Sequence, residues 1–120
     1  ERFPNYSKIM AGQKQFINRT SQSLNVTLLI RQGTDINKVS LEQEFQLGPG
    51  ETKLVTYGNS TNIYLNGLEL QWKDTSTQFK GTDRQEVTAT GVAPTFDWVL
   101  NTHSVITING VSGLNVTGSN

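Results

Sequence analysis

The chain has 120 residues, no cysteine, and ten basic residues against ten acidic ones, for a formal net charge of zero. This length is near the commonest domain size and lets a chain bury about two-thirds of the surface it exposes when unfolded, so residues 1–120 are read as one domain with one core. The missing thiols exclude disulfides and thiolate metal sites, and a neutral chain without a run of like charge lacks the footprint for nucleic acid or anionic lipid.

Residues Glu1–Ala11 show no alternation, and with Pro4 and Gly12 interrupting the stretch only a single helical turn fits there. No leader is visible at Glu1, and a start without Met fits a processed chain. No apolar run approaches the length of a membrane span, so membrane insertion is not expected.

From residue 24 the dominant signal is an alternation of period two, which places apolar side chains on one face of a strand. Leu24, Val26, Leu28 and Ile30 alternate with Asn25, Thr27 and Arg31, with Leu29 as an apolar residue on the outer face. Val39, Leu41, Phe45 and Leu47 alternate with Ser40, Glu42, Glu44 and Gln46. Gly48-Pro49-Gly50 then turns the chain into Thr52–Tyr57, and Gly58-Asn59-Ser60 leads to Ile63. Asn66-Gly67 reads either as a hairpin turn or as a bulge inside one long bent strand. Leu68, Leu70 and Trp72 alternate with Glu69, Gln71 and Lys73, and residues 74–84 read as a loop. Val87 and Ala89, then Phe96, Trp98 and Leu100, predict two further strands, the second with Val99 facing outward. Ile106 and Ile108 end at Asn109-Gly110, which predicts a two-residue hairpin turn into Leu114 and Val116.

About eight short strands with no helix of useful length predict an all-β protein, a two-sheet antiparallel β-sandwich, with a jelly roll or small barrel as the alternative. The Leu47-Gly48-Pro49-Gly50-Glu51 turn opening an alternating strand resembles those of immunoglobulin-like and cupredoxin-like sandwiches. Of the 120 residues, 44 are Thr, Asn, Ser or Gln and only 12 are Lys or Glu, a balance associated with secreted or periplasmic β proteins. Asn5, Asn18, Asn25, Asn59 and Asn115 open Asn-x-Ser/Thr sequons, of which Asn25 and Asn115 fall on predicted solvent faces, as a glycan requires.

Little in the sequence points to catalysis. The one histidine, His103, lies at a predicted turn, and its neighbour Ser104 would face the other way in an extended segment, so a nucleophile–base pair is not expected. One His, one Met and no Cys cannot build a blue-copper site. Glu42 and Glu44 share a solvent face and read as surface charge rather than as a glycosidase pair. Asp35, Asp74 and Asp83, with Asn37 and Asn59, sit in predicted loops without the spacing of a calcium loop. No cofactor or metal is therefore expected.

Trp72, Trp98, Phe45 and Phe96 are in phase with the core. Tyr57 and Tyr64 instead flank a loop of amides and hydroxyls, which makes Tyr57, Asn59, Thr61, Asn62 and Tyr64 the expected contact residues for a carbohydrate or protein partner, with the 74–84 loop as a second expected contact surface. The sequence thus supports a non-catalytic extracellular or periplasmic binding module. The alternative is a structural or accessory domain of a surface protein or self-assembling oligomer, joined through Leu29 or Val99.

Overall fold

The computed structural model describes residues 12–73 and 79–120. The helical turn allowed for residues 1–11, the Asn5 sequon and Asp74 lie outside them. In chain order the elements are β1 (Gly12–Asn18), β2 (Ser23–Gln32), β3 (Asp35–Leu47), β4 (Thr52–Tyr57), β5 (Leu65–Lys73), β6 (Phe79–Glu86), α1 (Phe96–Asn101), β7 (Val105–Gly110) and β8 (Asn115–Ser119).

The strands form two four-stranded sheets, β4-β1-β7-β8 (sheet A) and β3-β2-β5-β6 (sheet B), packed face to face as the expected sandwich. Neither sheet closes into a barrel. Pairing is antiparallel except between β1 and β7, which run parallel. That parallel pair departs from the antiparallel expectation, and the long stretch of chain between β1 and β7 permits it.

Between the sheets, Phe16 of β1, Leu24, Val26, Leu28 and Ile30 of β2, Leu68 and Leu70 of β5, and Ile106 and Ile108 of β7 share one core with Leu100 of α1. Each such side chain contributes about 1.5–3 kcal/mol by leaving water. β1 escapes a sequence reading because its inward positions are Lys14, Phe16 and Asn18, two of them polar. Asn18 is wholly buried. Its amide nitrogen donates to the carbonyl oxygens of Gln22 (2.8 Å), Leu47 (3.0 Å) and Gly48 (3.0 Å), and its side-chain oxygen accepts from the Thr20 N–H and hydroxyl. It thereby ties the β1–β2 turn to the end of β3, across the two sheets.

Three segments differ from the sequence reading. The Phe96–Leu100 stretch is helical. Over five residues a spacing of two also sets Phe96 and Leu100 one helical turn apart, and the Thr95 hydroxyl accepts the Trp98 N–H (3.1 Å), while Asp97 sits in the first turn. Residues 79–86 are a strand rather than part of a loop, so Asp83 is a strand residue; the ladder ends at Glu86, leaving Val87 buried and Ala89 exposed in a connection. The β7–β8 turn lies beyond Asn109-Gly110, because Gly110 still pairs with Asn115. Val111–Leu114 make the turn, closed by Leu114 N–H to Val111 O (3.2 Å). Leu114 takes a left-handed backbone (φ 51°), a cost of about 1–2 kcal/mol that burial of its side chain offsets.

Asn66-Gly67 is a bulge. Leu29 faces Gly67 while Ile30 faces Leu65, so Asn66 is the extra residue of β5. A Cβ at Gly67 would lie 2.5 Å from Gln85 O and 2.8 Å from Leu29 Cδ1, so β6 approaches closely only over a glycine. Leu29 is accordingly buried, not available to an interface as expected. Above it Arg84 of β6 extends across the sheet to Glu69 (3.2 Å), Glu86 (3.2 Å) and, on β3, Glu42 (3.5 Å).

The two outer faces differ in charge. Glu42, Glu44, Glu69, Arg84 and Glu86 all stand on the outer face of sheet B. On sheet A the outward positions are Gln13, Gln15 and Ile17 of β1 beside Thr52, Leu54 and Thr56 of β4. They continue as Val105, Thr107 and Asn109 on β7 and Asn115, Thr117 and Ser119 on β8, with no charge among them.

Gly67→Ala is expected to destabilise the protein by about 2 kcal/mol in urea unfolding, through overpacking against backbone. Thr95→Ala should cost about 1 kcal/mol through the lost cap. A neutral Gly67→Ala would show that the β5–β6 approach is not tight.

Candidate functional site

One end of the sandwich carries the β2–β3 turn, the β4–β5 loop and the connection from β6 into α1. The β4–β5 loop begins at Gly58, whose positive φ (74°) and whose Cβ position, 2.0 Å from Asn62 O, admit no side chain. Asn59 N–H then donates to Asn62 O (3.1 Å), and the Asn59 side-chain oxygen accepts from Thr61 N–H, Thr61 Oγ1 and Asn62 N–H, each at 3.0 Å. Asn62 in turn accepts from Gly33 N–H (2.8 Å) and donates to Ser40 Oγ (3.2 Å), fixing the loop to the β2–β3 hairpin. Short polar side chains that bond the local backbone are what make Asn and Thr turn formers, and here they use most of the loop's polar groups internally.

Beside the loop, Arg31 is buried. Its Nη2 donates to Asp97 Oδ1 (2.7 Å) and Leu65 O (3.1 Å), and its Nε to Asn66 Oδ1 (2.8 Å). Asn101 closes the ring: its Nδ2 donates to Asp97 Oδ1 (2.9 Å) and Leu65 O (2.9 Å), and its Oδ1 accepts Leu65 N–H (2.8 Å). Asn66 also donates to Ile36 O (2.9 Å). Burial by itself would raise the Asp97 carboxyl pKa, but hydrogen bonds from Arg31 and Asn101, the Arg31 charge and the Gly91 N–H outweigh it and hold the carboxyl below its usual value. The guanidinium carbon lies 5.7 Å from the centre of the Tyr64 ring, a cation–π contact that supports the ring from the protein side.

The expected contact residues separate accordingly. Asn59 and Thr61 are exposed, Asn62 is half-buried, and Tyr64 is 38% exposed. Tyr57 does not share their surface. Its ring lies in the core over Gly12, and burial raises its phenol pKa above the ordinary value. The sequence did not single out Ile63 (37% exposed), which precedes Tyr64 in the β4–β5 loop, or Val92 (78% exposed), in the connection into α1 at the same end. Val92 joins it through its neighbour Gly91, whose N–H reaches Asp97. The Arg31 cluster was equally hidden, since Arg31 continues the outward phase of β2 and reads as a solvated residue.

His103 follows α1, edge-on to Trp98 with ring centres 4.5 Å apart. Its Nδ1 lies 3.1 Å from Val99 O and 3.2 Å from Thr102 Oγ1, and its carbonyl oxygen accepts from the buried Lys14 ammonium. Burial lowers the Lys14 pKa. Among the described residues no carboxylate pairs with His103, and no group of three or more His, Asp or Glu could hold a metal ion. No helix among them is long and apolar enough to cross a membrane. No protein-family model, curated protein or solved structure matches the chain.

Asp97→Asn should cost about 3 kcal/mol, because it leaves the buried Arg31 charge without its counter-ion. The pH dependence carries the sign. A carboxyl whose folded pKa lies below its unfolded value of about 3.9 stabilises the fold above that pH and loses this contribution as pH falls through the folded value. Wild type should therefore lose more stability between pH 5 and 2 than Asp97→Asn, as measured by urea unfolding; equal slopes would place the acid-sensitive groups elsewhere.

Proposed function

We propose that this protein is a non-catalytic binding module that meets its partner with the end of the sandwich formed by the β4–β5 loop and the residue 87–95 connection. The observation that carries this reading is the placement of exposed apolar side chains. Of the four large ones exposed among residues 12–72 and 81–120, Ile63, Tyr64 and Val92 belong to this end, and Leu54 lies on β4. They stand on backbone that is already fixed by Asn59, Asn62 and the Arg31 cluster, so little ordering entropy opposes binding.

Two aliphatic side chains at the same end as one aromatic favour a protein partner, whose own apolar groups would cover them. Carbohydrate is the second reading, and Tyr64 favours it: a half-exposed ring on the loop that also carries the exposed Asn59 and Thr61 is a stacking platform for a sugar. A secreted or periplasmic setting belongs to the same proposal and is supported by the uncharged polar surface.

The test is selection of binders from a random peptide display library, run beside a glycan array. Each ligand found would be titrated against wild type, Tyr64→Ala and Val92→Asp. A peptide weakened more than tenfold by both substitutions supports the protein reading. A glycan weakened by Tyr64→Ala alone supports the second. Failure of both screens, or ligands indifferent to both substitutions, removes this end as the contact surface.

A further inference from the structure

The sequons at Asn18, Asn25, Asn59 and Asn115 fall among the described residues, and the fold treats them differently. Asn25 and Asn115 lie on β2 and β8, where the backbone is held in ladders. Side chains two residues apart on a strand stand about 6.8 Å from each other, too far for a bond within the sequon. Their threonines have other partners. Thr27 is buried and its hydroxyl donates to Glu44 Oε2 (3.5 Å), and Thr117 Oγ1 accepts from Asn109 Nδ2 (3.0 Å). Asn18 and Asn59 lie in turns instead and make the same two local bonds. Asn18 Oδ1 accepts Thr20 N–H (2.8 Å) and Oγ1 (2.7 Å), and Asn59 Oδ1 accepts Thr61 N–H and Oγ1, each at 3.0 Å.

The two amide nitrogens differ. Asn18 is buried and its Nδ2 donates to the carbonyl oxygens of Gln22, Leu47 and Gly48. Asn59 is exposed, and its Nδ2 has no acceptor among the described residues. We infer that Asn59 is the position at which the folded chain accepts an N-linked glycan, and that Asn18, with the same motif in the same kind of turn, refuses one. The inference rests on the secreted or periplasmic setting proposed above, where such glycans are added.

The chemistry separates the sites. The donor class is an oligosaccharide carried on a lipid pyrophosphate. The Asn59 Nδ2 attacks C1 of the first sugar, so the Nδ2–C1 bond forms and the C1–O bond to the pyrophosphate breaks. The pyrophosphate leaves with the electron pair, and the proton lost from Nδ2 passes to a base of the transferase. An amide nitrogen is a poor nucleophile because its lone pair is shared with the carbonyl. Losing the proton puts charge on Oδ1, where Thr61 N–H, the Thr61 hydroxyl and Asn62 N–H already donate. At Asn18 the same attack would take the donor from three carbonyl oxygens and place a sugar where the β1–β2 turn meets the end of β3. Asn115 is exposed too, but its sequon is extended and paired with β7 through Asn115 and Thr117, so presenting it in a turn would break that ladder.

Transfer to the folded full chain in vitro tests this. The oligosaccharyltransferase and lipid-linked oligosaccharide are chosen so that synthetic peptides covering residues 15–22, 22–29, 56–63 and 112–119 are all glycosylated. Intact mass of the folded chain should show one glycan. Peptide mapping after enzymatic release, which leaves aspartate at the modified position, should place it on Asn59. Asn59→Asp, which keeps an acceptor oxygen for the turn, and Thr61→Val should abolish transfer. Thr61→Ser should retain it, and Asn115→Asp should leave it unchanged. A folded chain that takes no glycan, or takes it on Asn18, Asn25 or Asn115, overturns the inference. The readout is a mass and needs no binding partner, so failure of the display and array screens would leave the Asn59 result standing.

Discussion

The end of this sandwich that carries the β4–β5 loop depends on how one buried arginine is satisfied. A guanidinium removed from water costs several kcal/mol unless its charge is countered and its N–H groups find acceptors. Arg31 obtains its counter-charge from Asp97 at 2.7 Å and its acceptors from Asn66 and the Leu65 carbonyl. Each of these partners makes a demand on the local fold. Asp97 can reach Arg31 only because the chain after Thr95 turns into α1 instead of extending as a strand. Asn66 can accept from Arg31 only because it bulges out of β5. The Leu65 backbone is held in place by Asn101, one turn beyond Asp97 on the same helix.

The same arginine underlies Tyr64. With the guanidinium 5.7 Å from its ring centre, the phenol side chain is supported from the protein side while it remains 38% exposed. An aromatic held this way loses little freedom on meeting a partner, and the neighbouring loop is closed by the Asn59 and Asn62 side chains. Rigid support beneath an exposed apolar group separates a contact surface from an incidental surface residue, because the ordering cost has been met in folding.

Much of the architecture was legible in the sequence, for a simple reason. Where a strand buries one face, its period of two writes the core directly, as in Leu24–Ile30 and Leu68–Trp72. It failed where polar residues point inward or apolar ones point outward for structural reasons. Lys14 and Asn18 hid β1, since a lysine and an asparagine at core positions erase the alternation. Leu29 looked like an interface residue, but a glycine opposite it lets β6 close in and charged side chains cover it. Phe96 and Leu100 fit both periods, and the Thr95 cap together with the Arg31–Asp97 pair goes with the helix. Of the expected contact residues, Asn59, Thr61 and Tyr64 are exposed because turn chemistry keeps them there. Tyr57 was misplaced because it is the last inward residue of β4, and a tyrosine beside a glycine-rich loop looks the same in sequence whether its ring faces solvent or the core.

The richness in amides and hydroxyls also acquires a structural cause. Two open sheets leave edges and turns whose backbone groups need partners, and in this protein side chains supply many of them. Gln43 stands in the inward phase of β3, where an apolar residue would be expected. Its amide donates to Thr56 O (2.8 Å) and accepts Gly58 N–H (3.3 Å), so it joins the edge of sheet B to the edge of sheet A. Lys53 returns the link by donating to Gln46 O (2.7 Å). On the other side Asp83 accepts Gly113 N–H (2.7 Å), and at the end of β8 Asn120 accepts Ser104 N–H (2.9 Å). Side chains thus close what the strand ladders leave open. The composition that pointed to an exported protein thus includes amides that the fold itself uses, Gln43 between the two sheet edges and Asn120 at the end of β8, beside the charged links of Lys53 and Asp83.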